Sequence, residues 1–379
     1  MLHARVHPRL DAIEAAAWDA LVADDNPFVS HAFLAGLERH GCLSPEYGWQ
    51  PHHLGLYAAE RLVAAAPLYL KGNSHGEFVF DWSWAAAYER HGLDYYPKLL
   101  AGVPYSPVTG PRLLAGRGED AAALRRALAG SIERETDRLG LSSAHANFVD
   151  DEDAAALADA GWLARGDWQF HWHNRGWRDF EDFLAALASK KRKNIRHERA
   201  QVARAGIRCT PMHGGELDEA TWDAVHRLYR RTFDAHGNYA ALTPAFFRHL
   251  GRALPTRSIV VLCRHGAELI AMALFLRSAD TLYGRYWGAD AEVPGLHFEA
   301  CYYQGIDYCL REGLSRFEPG AQGEHKVARG FLPVATRSYH HLVDGRFRAA
   351  VADALQRERD LLDRYRDDVL VHSPYTAPP

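Results

Sequence analysis

Apolar residues recur with helical spacing over residues 11–23, where Ile13, Ala17 and Leu21 share a face. They do so again after Ser30, an N-cap ahead of Phe33, Leu34 and Leu37. The pattern then changes to short β-type runs, 53–58 and 62–70, joined by Ala59-Glu60-Arg61, and an aromatic strand is expected over 77–84. Residues 95–118, rich in Pro, Gly and Tyr, read as a long loop. A helix over 119–139 stops at Gly140, a strand follows over 141–149, and a short helix over 151–160 stops at Gly161. The second half opens with a strand at 168–173 and helices near 179–188, 190–205, 217–235 and 244–254. Strands at 258–263, 269–277 and 282–287 come next, then a helix over 298–312 that ends at Gly313, a strand at 315–318 and an amphipathic helix over 349–365. The tail 372–379 is expected to fray.

The two halves echo each other. Leu62-Val63-Ala64-Ala65-Ala66-Pro67-Leu68-Tyr69-Leu70-Lys71 matches Leu269-Ile270-Ala271-Met272-Ala273-Leu274-Phe275-Leu276-Arg277, with Pro67 as one extra residue. A proline inserted in a strand implies a bulge or an edge there. Each copy follows a short strand and a tight turn. Each precedes an aromatic strand, a helix ending in Gly-Leu-Ser (Gly140-Leu141-Ser142 and Gly313-Leu314-Ser315) and a further strand. This repeated order predicts a duplicated domain. A chain of 379 residues also exceeds the ~250–300 at which single cores stop growing, so domains over 1–165 and 166–347 are expected.

Composition narrows the class. With 47% hydrophobic and 24% charged residues the chain is globular, and a net charge of −4 leaves any binding of nucleic acid or anionic membrane to a local patch. No apolar run approaches the ~18 residues of a membrane span, and the N-terminus lacks a secretory core, so a cytoplasmic location is expected. Five scattered cysteines without a C-x-x-C pair argue for free thiols in a reducing compartment. Adjacent His340-His341 lack the spacing of metal ligands, and no metal is expected.

The order of elements, and the stretches Gly76-Glu77-Phe78-Val79-Phe80-Asp81-Trp82, Tyr95-Tyr96-Pro97-Lys98-Leu99, Lys191-Arg192-Lys193-Asn194-Ile195-Arg196, Leu282-Tyr283-Gly284-Arg285-Tyr286-Trp287-Gly288, Leu296-His297-Phe298-Glu299-Ala300-Cys301-Tyr302-Tyr303-Gln304 and Gly320-Ala321-Gln322-Gly323-Glu324-His325-Lys326, carry a resemblance over most of the chain. The chain resembles the bacterial FemAB-like proteins of the GNAT (acyl-CoA N-acyltransferase) superfamily, described as peptidoglycan biosynthesis or recognition proteins. The resemblance implies an α+β fold of two tandem GNAT-like domains, with a C-terminal helix near 348–370 packing back on the first. It also implies transfer of an acyl or aminoacyl group onto an amine. Non-catalytic recognition of a peptide-sugar, and an N-acyltransferase using acyl-CoA or an acyl carrier, stand as alternatives.

The residues themselves offer chemistry. Glycines at 320 and 323 allow close backbone approach to a ligand, and Glu324, His325, Lys326 and Arg329 follow within six positions. Glu324 or His325 can take a proton from an attacking amine, while Lys326 or Arg329 can stabilise an oxyanion, with Gln322 beside them. The resemblance to the Fem ligases places Lys326 at the reacting group. His297 begins a helix, where backbone N–H groups favour anions, and Glu299, Tyr303 and Asp307 share a face of it. Strand alternation places Tyr283, Arg285 and Trp287 on one face, a setting for a phosphate or carboxylate substrate. Glu77 and Asp81, four apart on the expected strand and near Lys71, His75 and Lys98, can line a first-domain pocket.

Donor recognition divides between two features. Lys190, Lys191, Arg192, Lys193 and Arg196 hold half of the six lysines in the chain and suit a tRNA or an acidic carrier. Arg112-Leu113-Leu114-Ala115-Gly116-Arg117-Gly118 is similar to an acyl-CoA pyrophosphate loop, but its glycines are displaced by one residue. The second-half counterpart, 288–295, carries two acids and a proline. A tightly bound cofactor is therefore not expected.

Overall fold

A computed structural model describes residues 2–320 and 323–376. The strands in chain order are β1 (Leu2–His7), β2 (Trp49–Pro51), β3 (His53–Ala58), β4 (Arg61–Ala66), β5 (Leu68–Lys71), β6 (Lys98–Ala101), β7 (Ser143–Ala146), β8 (Leu163–His173), β9 (Ile207–His213), β10 (Ser258–His265), β11 (Glu268–Arg277), β12 (Thr281–Ala289), β13 (Arg316–Glu318) and β14 (Leu332–Leu342). The chain divides into two compact units. Met1–Asp167 with Ala335–Arg364 form the first, and Trp168–Val334 with Tyr365–Pro379 the second.

In the first unit β3 pairs with β1 and β4, and a second set of strands runs in the order β2-β5-β6-β7-β14. Pro67 divides the two sets. It has no N–H to donate, so the echo segment breaks into β4 and β5, each with its own partners. In the second unit the matching segment is one unbroken strand, β11, paired with β10 along one edge and β12 along the other. In each unit the antiparallel run ends in a parallel pair, β6 with β7 and β12 with β13. Each parallel pair is followed by an antiparallel neighbour, β14 beside β7 and β8 beside β13. This repeated order is that of a duplicated GNAT-like α+β fold.

Helix Ala121–Arg138 packs the first core through Leu128, Ala129 and Ile132, against Leu54, Leu99 and Ala144 from the strands. The second core joins Phe275 and Phe317 to Phe183, Tyr303 and Ile306. Helix Gly345–Leu370 buries Val351 and Leu355 beside Trp84 and Tyr88 in the first unit.

The structure departs from the sequence pattern at particular places. Residues 77–84 do not form a strand: they are a turn followed by helix Trp82–Arg90. The place beside β5 is taken by β6, from within the expected loop, whose Leu99 and Leu100 are buried. Glu77 and Asp81 both bind the Lys98 ammonium, which draws their segment out of strand pairing. The tail does not fray over its described part, because Ala188 N–H donates to Pro374 O at 2.8 Å and Thr376 N–H to Ala186 O at 3.0 Å. β14 escaped the pattern because its buried residues include Thr336, Ser338 and His340, which carry no hydrophobic signal.

Candidate active site

β12 pairs with β13 only from Thr281 to Tyr283. The short strand β13 ends at Glu318, and Pro319 then crowds Gly284 so closely that a Cβ there would lie 3.1 Å from the Pro319 Cα. Among the described residues, β12 beyond Tyr283 has no strand partner on that side. A cavity of about 260 Å³ opens in this gap. Gly284, Arg285, Tyr286 and Trp287 form one wall, Pro319, His325 and Lys326 another, and His297, Cys301 and Tyr302 a third.

Strand alternation does not survive in β12. The register passes from Leu274↔Tyr286 to Phe275↔Gly284, so Arg285 is an extra, bulged residue. A bulge reverses the phase of every later side chain. Trp287 therefore packs toward the core that holds Leu282, and Tyr286 faces the opposite way against Tyr229 at 4.9 Å. Tyr283, Arg285 and Trp287 thus do not share one face. Arg285 is half-buried at the bulge, and burial lowers its pKa.

The turn Glu324–Arg329 lies between Gly323 and Gly330, both left-handed with φ of 114° and 96°. Lys326 is 2% exposed and donates from Nζ to Gly320 O at 2.7 Å. Burial lowers its pKa to about 8. At pH 7 such an amine is still roughly nine-tenths protonated, but near enough to its midpoint to exchange a proton. His325 stands at the cavity mouth with Nε2 2.9 Å from Tyr302 Oη, and burial, Lys326 and Arg329 hold it below the ordinary histidine range. His297 sits edge-on to Trp287 and Tyr302, at 5.4 Å from each. Burial, His325 and the nearby cations lower its pKa to about 4, so it is neutral at pH 7. Glu324 does not reach the cavity. It is exposed and accepts a hydrogen bond from Tyr365 Oη at 2.9 Å.

Glu299, Tyr303 and Arg329 frame the cavity and do not line it. Helix 296–312 contains a π-helical turn at Glu299–Tyr303, a distortion often found at functional sites. Glu299 is buried, paired with Arg199 at 3.1 Å and bonded to the Gln304 amide at 2.7 Å. Arg329 lies 3.4 Å over the Phe298 ring and donates to Tyr303 Oη, His325 O and Glu198. Tyr303 Oη also donates to Glu198. Gln322 lies outside the described residues.

Helix Ser189–Arg204 supplies Glu198 and Arg199 to this frame and carries the basic run one to two turns earlier. Lys190 and Lys193 are exposed and Lys191 half-buried. Arg196 is paired with Glu181, while Arg192 donates only to the neutral Ala185 O, so the uncompensated charge is that of the three lysines and Arg192.

In the first unit Glu77, Asp81 and Lys98 do meet, but as a closed buried group. Lys98 Nζ binds Glu77 Oε1 at 2.7 Å and also Asp81, and all three residues are at most 3% exposed. Burial opposes both charges, yet Glu77 and Asp81 outweigh it and raise the Lys98 pKa, while Lys98, His145 and Ser74 hold Asp81 below the usual carboxylate range. Burial raises Glu77. Tyr95 Oη donates to Asp81 at 2.5 Å, and the network continues through His145 to His340. The loop similar to a pyrophosphate site differs: its Gly116, Arg117 and Gly118 line two open cavities of about 660 and 960 Å³, but Arg112 stands outside them. Arg112 is fully buried, with its guanidinium on the carbonyls of Asn147, Pro111 and Val108.

Sequence reading missed Glu198 and Arg199. The partners of Glu198 and Arg199 lie roughly 100 or more residues away, so no local spacing marks them. Cys301 and Tyr302 are marked only as members of the 296–304 stretch that carries the resemblance, without a role of their own. Among the described residues no cluster of His, Cys, Asp or Glu is suited to hold a metal ion. No described helix is long and apolar enough to cross a membrane.

Comparison of the fold with solved structures finds FemX, with a TM-score of 0.54 and 9% identity over 90% of this chain and 98% of that one. The C-terminal domain of a protein assigned as a lysylphosphatidylglycerol synthetase from Agrobacterium fabrum gives 0.53 and 14%, over 90% and 94%. L-PGS from Bacillus licheniformis gives 0.50 and 10%, over 85% and 93%. At these identities the likeness concerns the fold. A search of the curated proteins found no match. A family model described as peptidoglycan biosynthesis/recognition matches residues 9–377, and the chain therefore belongs to the FemAB-like family.

Proposed function

We propose that this chain is an aminoacyl transferase whose second unit moves an aminoacyl group from an aminoacyl-tRNA onto an amine of a peptidoglycan-precursor peptide. The cavity in the β12–β13 gap carries this reading, because a buried lysine and two histidines line one space beside Arg285. The attacking amine nitrogen bonds to the ester carbonyl carbon, and the carbonyl oxygen becomes an oxyanion. Lys326, as ammonium, stabilises that charge in a site where low water content strengthens the interaction. His325, held neutral, takes the proton leaving the amine. It then delivers that proton to the departing ribose oxygen as the carbon–oxygen bond breaks.

An aminoacyl-tRNA donor is favoured over acyl-CoA by two observations. In the first unit the Arg112 guanidinium is bonded to three backbone carbonyls and does not line the open cavities beside Gly116 and Gly118. In the second unit the loop after β12 places the Asp290 carboxylate between Arg227 and Arg231, where a pyrophosphate would meet an acid and only half of the positive charge is offset. Lys190, Lys191 and Lys193 supply the surface an RNA backbone would use. The fold shared with FemX, L-PGS and a protein assigned as a lysylphosphatidylglycerol synthetase supports this reading.

The test is incubation with an aminoacyl-tRNA pool and a nucleotide-linked muropeptide, read by mass spectrometry. The expected result is a mass gain of one aminoacyl residue, lost in Lys326→Met. No gain with any aminoacyl-tRNA, together with micromolar binding of acetyl-CoA by calorimetry, would transfer the function to a thioester donor.

A further inference from the structure

The turn that carries Lys326 is held at both ends by the chain's own C-terminal segment. At its start, Tyr365 Oη donates to Glu324 Oε1 at 2.9 Å. At its end, Tyr375 Oη donates to Gly330 O at 2.6 Å. The Tyr375 ring lies parallel to Trp177, with centroids 5.8 Å apart and 7° between planes, and the Arg175 guanidinium sits 4.3 Å from its centroid. Its backbone is fixed as well, through a β-bridge between Leu187 and Tyr375 and the hydrogen bonds from Ala188 and Thr376. Gly330 is shaped to this contact. With φ at 96°, a Cβ on it would meet the Phe183 ring and the Tyr375 hydroxyl at 2.9 Å.

We propose that residues 365–376 form a strap that sets the position of the Lys326 turn, with Tyr365 and Tyr375 as positioning residues at its two ends. The inference rests on Lys326 being the group that stabilises the oxyanion. A tail that merely covered apolar surface would need ring packing on Trp177 but no hydroxyl on the Gly330 carbonyl. Here both are present, and the second acts on the backbone at the turn's last residue. Lys326 lies four residues from Gly330, and Phe331 N–H donates back to Lys326 O at 3.3 Å. Displacement of Gly330 is therefore passed directly to the lysine. Misplacement of a reacting group by about 1 Å can cost on the order of 100-fold in rate.

The experiment follows the Lys326 amine itself. The chain holds six lysines, so ¹³Cε/¹⁵Nζ-lysine spectra are sparse, and Lys326→Arg assigns the signal. Tyr375→Phe removes one oxygen and keeps the ring, while a chain ending at Val371 removes the strap's last part. In both, the Lys326 pKa is expected to rise by about one unit or more toward its exposed value as the pocket loosens. Turnover is expected to fall about tenfold or more with little change in acceptor KM. Leu361→Ser, on the exposed helix face, should change neither. An unchanged Lys326 titration in folded Tyr375→Phe overturns the strap, whether or not the shortened chain folds. A shifted titration in a protein that transfers no aminoacyl group, even unsubstituted, upholds the strap and refutes the catalytic reading.

Discussion

Lys98→Met tests whether the first-unit cluster is structural or a substrate site. The replacement keeps most of the side-chain volume and removes one charge between Glu77 and Asp81, which are 3% and 2% exposed. Removing one partner of a buried ion pair typically costs about 3–5 kcal/mol, because the remaining charge is left without compensation. Here two carboxylates are left, so the upper part of that range is expected. The pH dependence of the Asp81 contribution should also reverse, while that of Glu77, already raised by burial, should steepen. In the native chain Asp81 has a depressed pKa, so its contribution is present above its unfolded value and is lost as pH falls. Without Lys98, burial dominates both carboxyls and raises them. Their stability contribution is then greatest at low pH and falls by about 1.4 kcal/mol per carboxyl per pH unit as pH rises above their unfolded values, until the folded pKa is passed. Urea unfolding at pH 5 and pH 8, followed by hydrogen exchange over residues 74–101, reads this local effect. Adding Glu77→Gln and Asp81→Asn should restore most of the loss, since a neutral hydrogen-bonded group is less costly to bury. A loss below about 1 kcal/mol, or a loss relative to the native chain that does not grow from pH 5 to pH 8, would refute the argument and return these residues to the list of binding candidates.

Other outcomes follow from the second unit. Lys326→Met should lower turnover about 100–1000-fold while the thermal midpoint moves little; an equally large loss of stability would contradict the oxyanion role. With the amine titrating near pH 8, the native rate should fall above about pH 8 as the ammonium is lost, and Lys326→Arg should carry that descending limb upward in any activity it retains. Lys190→Glu with Lys193→Glu should weaken tRNA binding and flatten its salt dependence in filter-binding assays, with acceptor binding unchanged. Gly330→Ala should destabilise the chain by more than about 1 kcal/mol in thermal unfolding, since the new methyl group meets Phe183 and Tyr375 at a left-handed position.

The sequence determined whatever is local or repeated. Helix Glu219–Ala235 is legible because its Asp218 cap and its buried Trp222, Val225 and Tyr229 recur at helical spacing. The duplication is legible because both copies must bury the same apolar strand, and Pro67 marks its own break by lacking a donor. Lys326 and His325 could be singled out from glycine spacing and charge alone. Tertiary structure decided the rest. One bulge at Arg285 exchanged the faces of β12, and a register shift leaves no trace in residue type. Glu324 was drawn out of the cavity by Tyr365, and Glu77 and Asp81 were sealed around Lys98, by partners 41, 21 and 17 positions away. An ionisable side chain is equally suited to bind a substrate or to close on its own chain, and which occurs depends on burial and on charges brought from distant residues. The gap beside β12 arises in the same way: it exists because β13 is three residues long and turns off at Pro319, a fact about a neighbouring strand that the sequence of β12 does not contain.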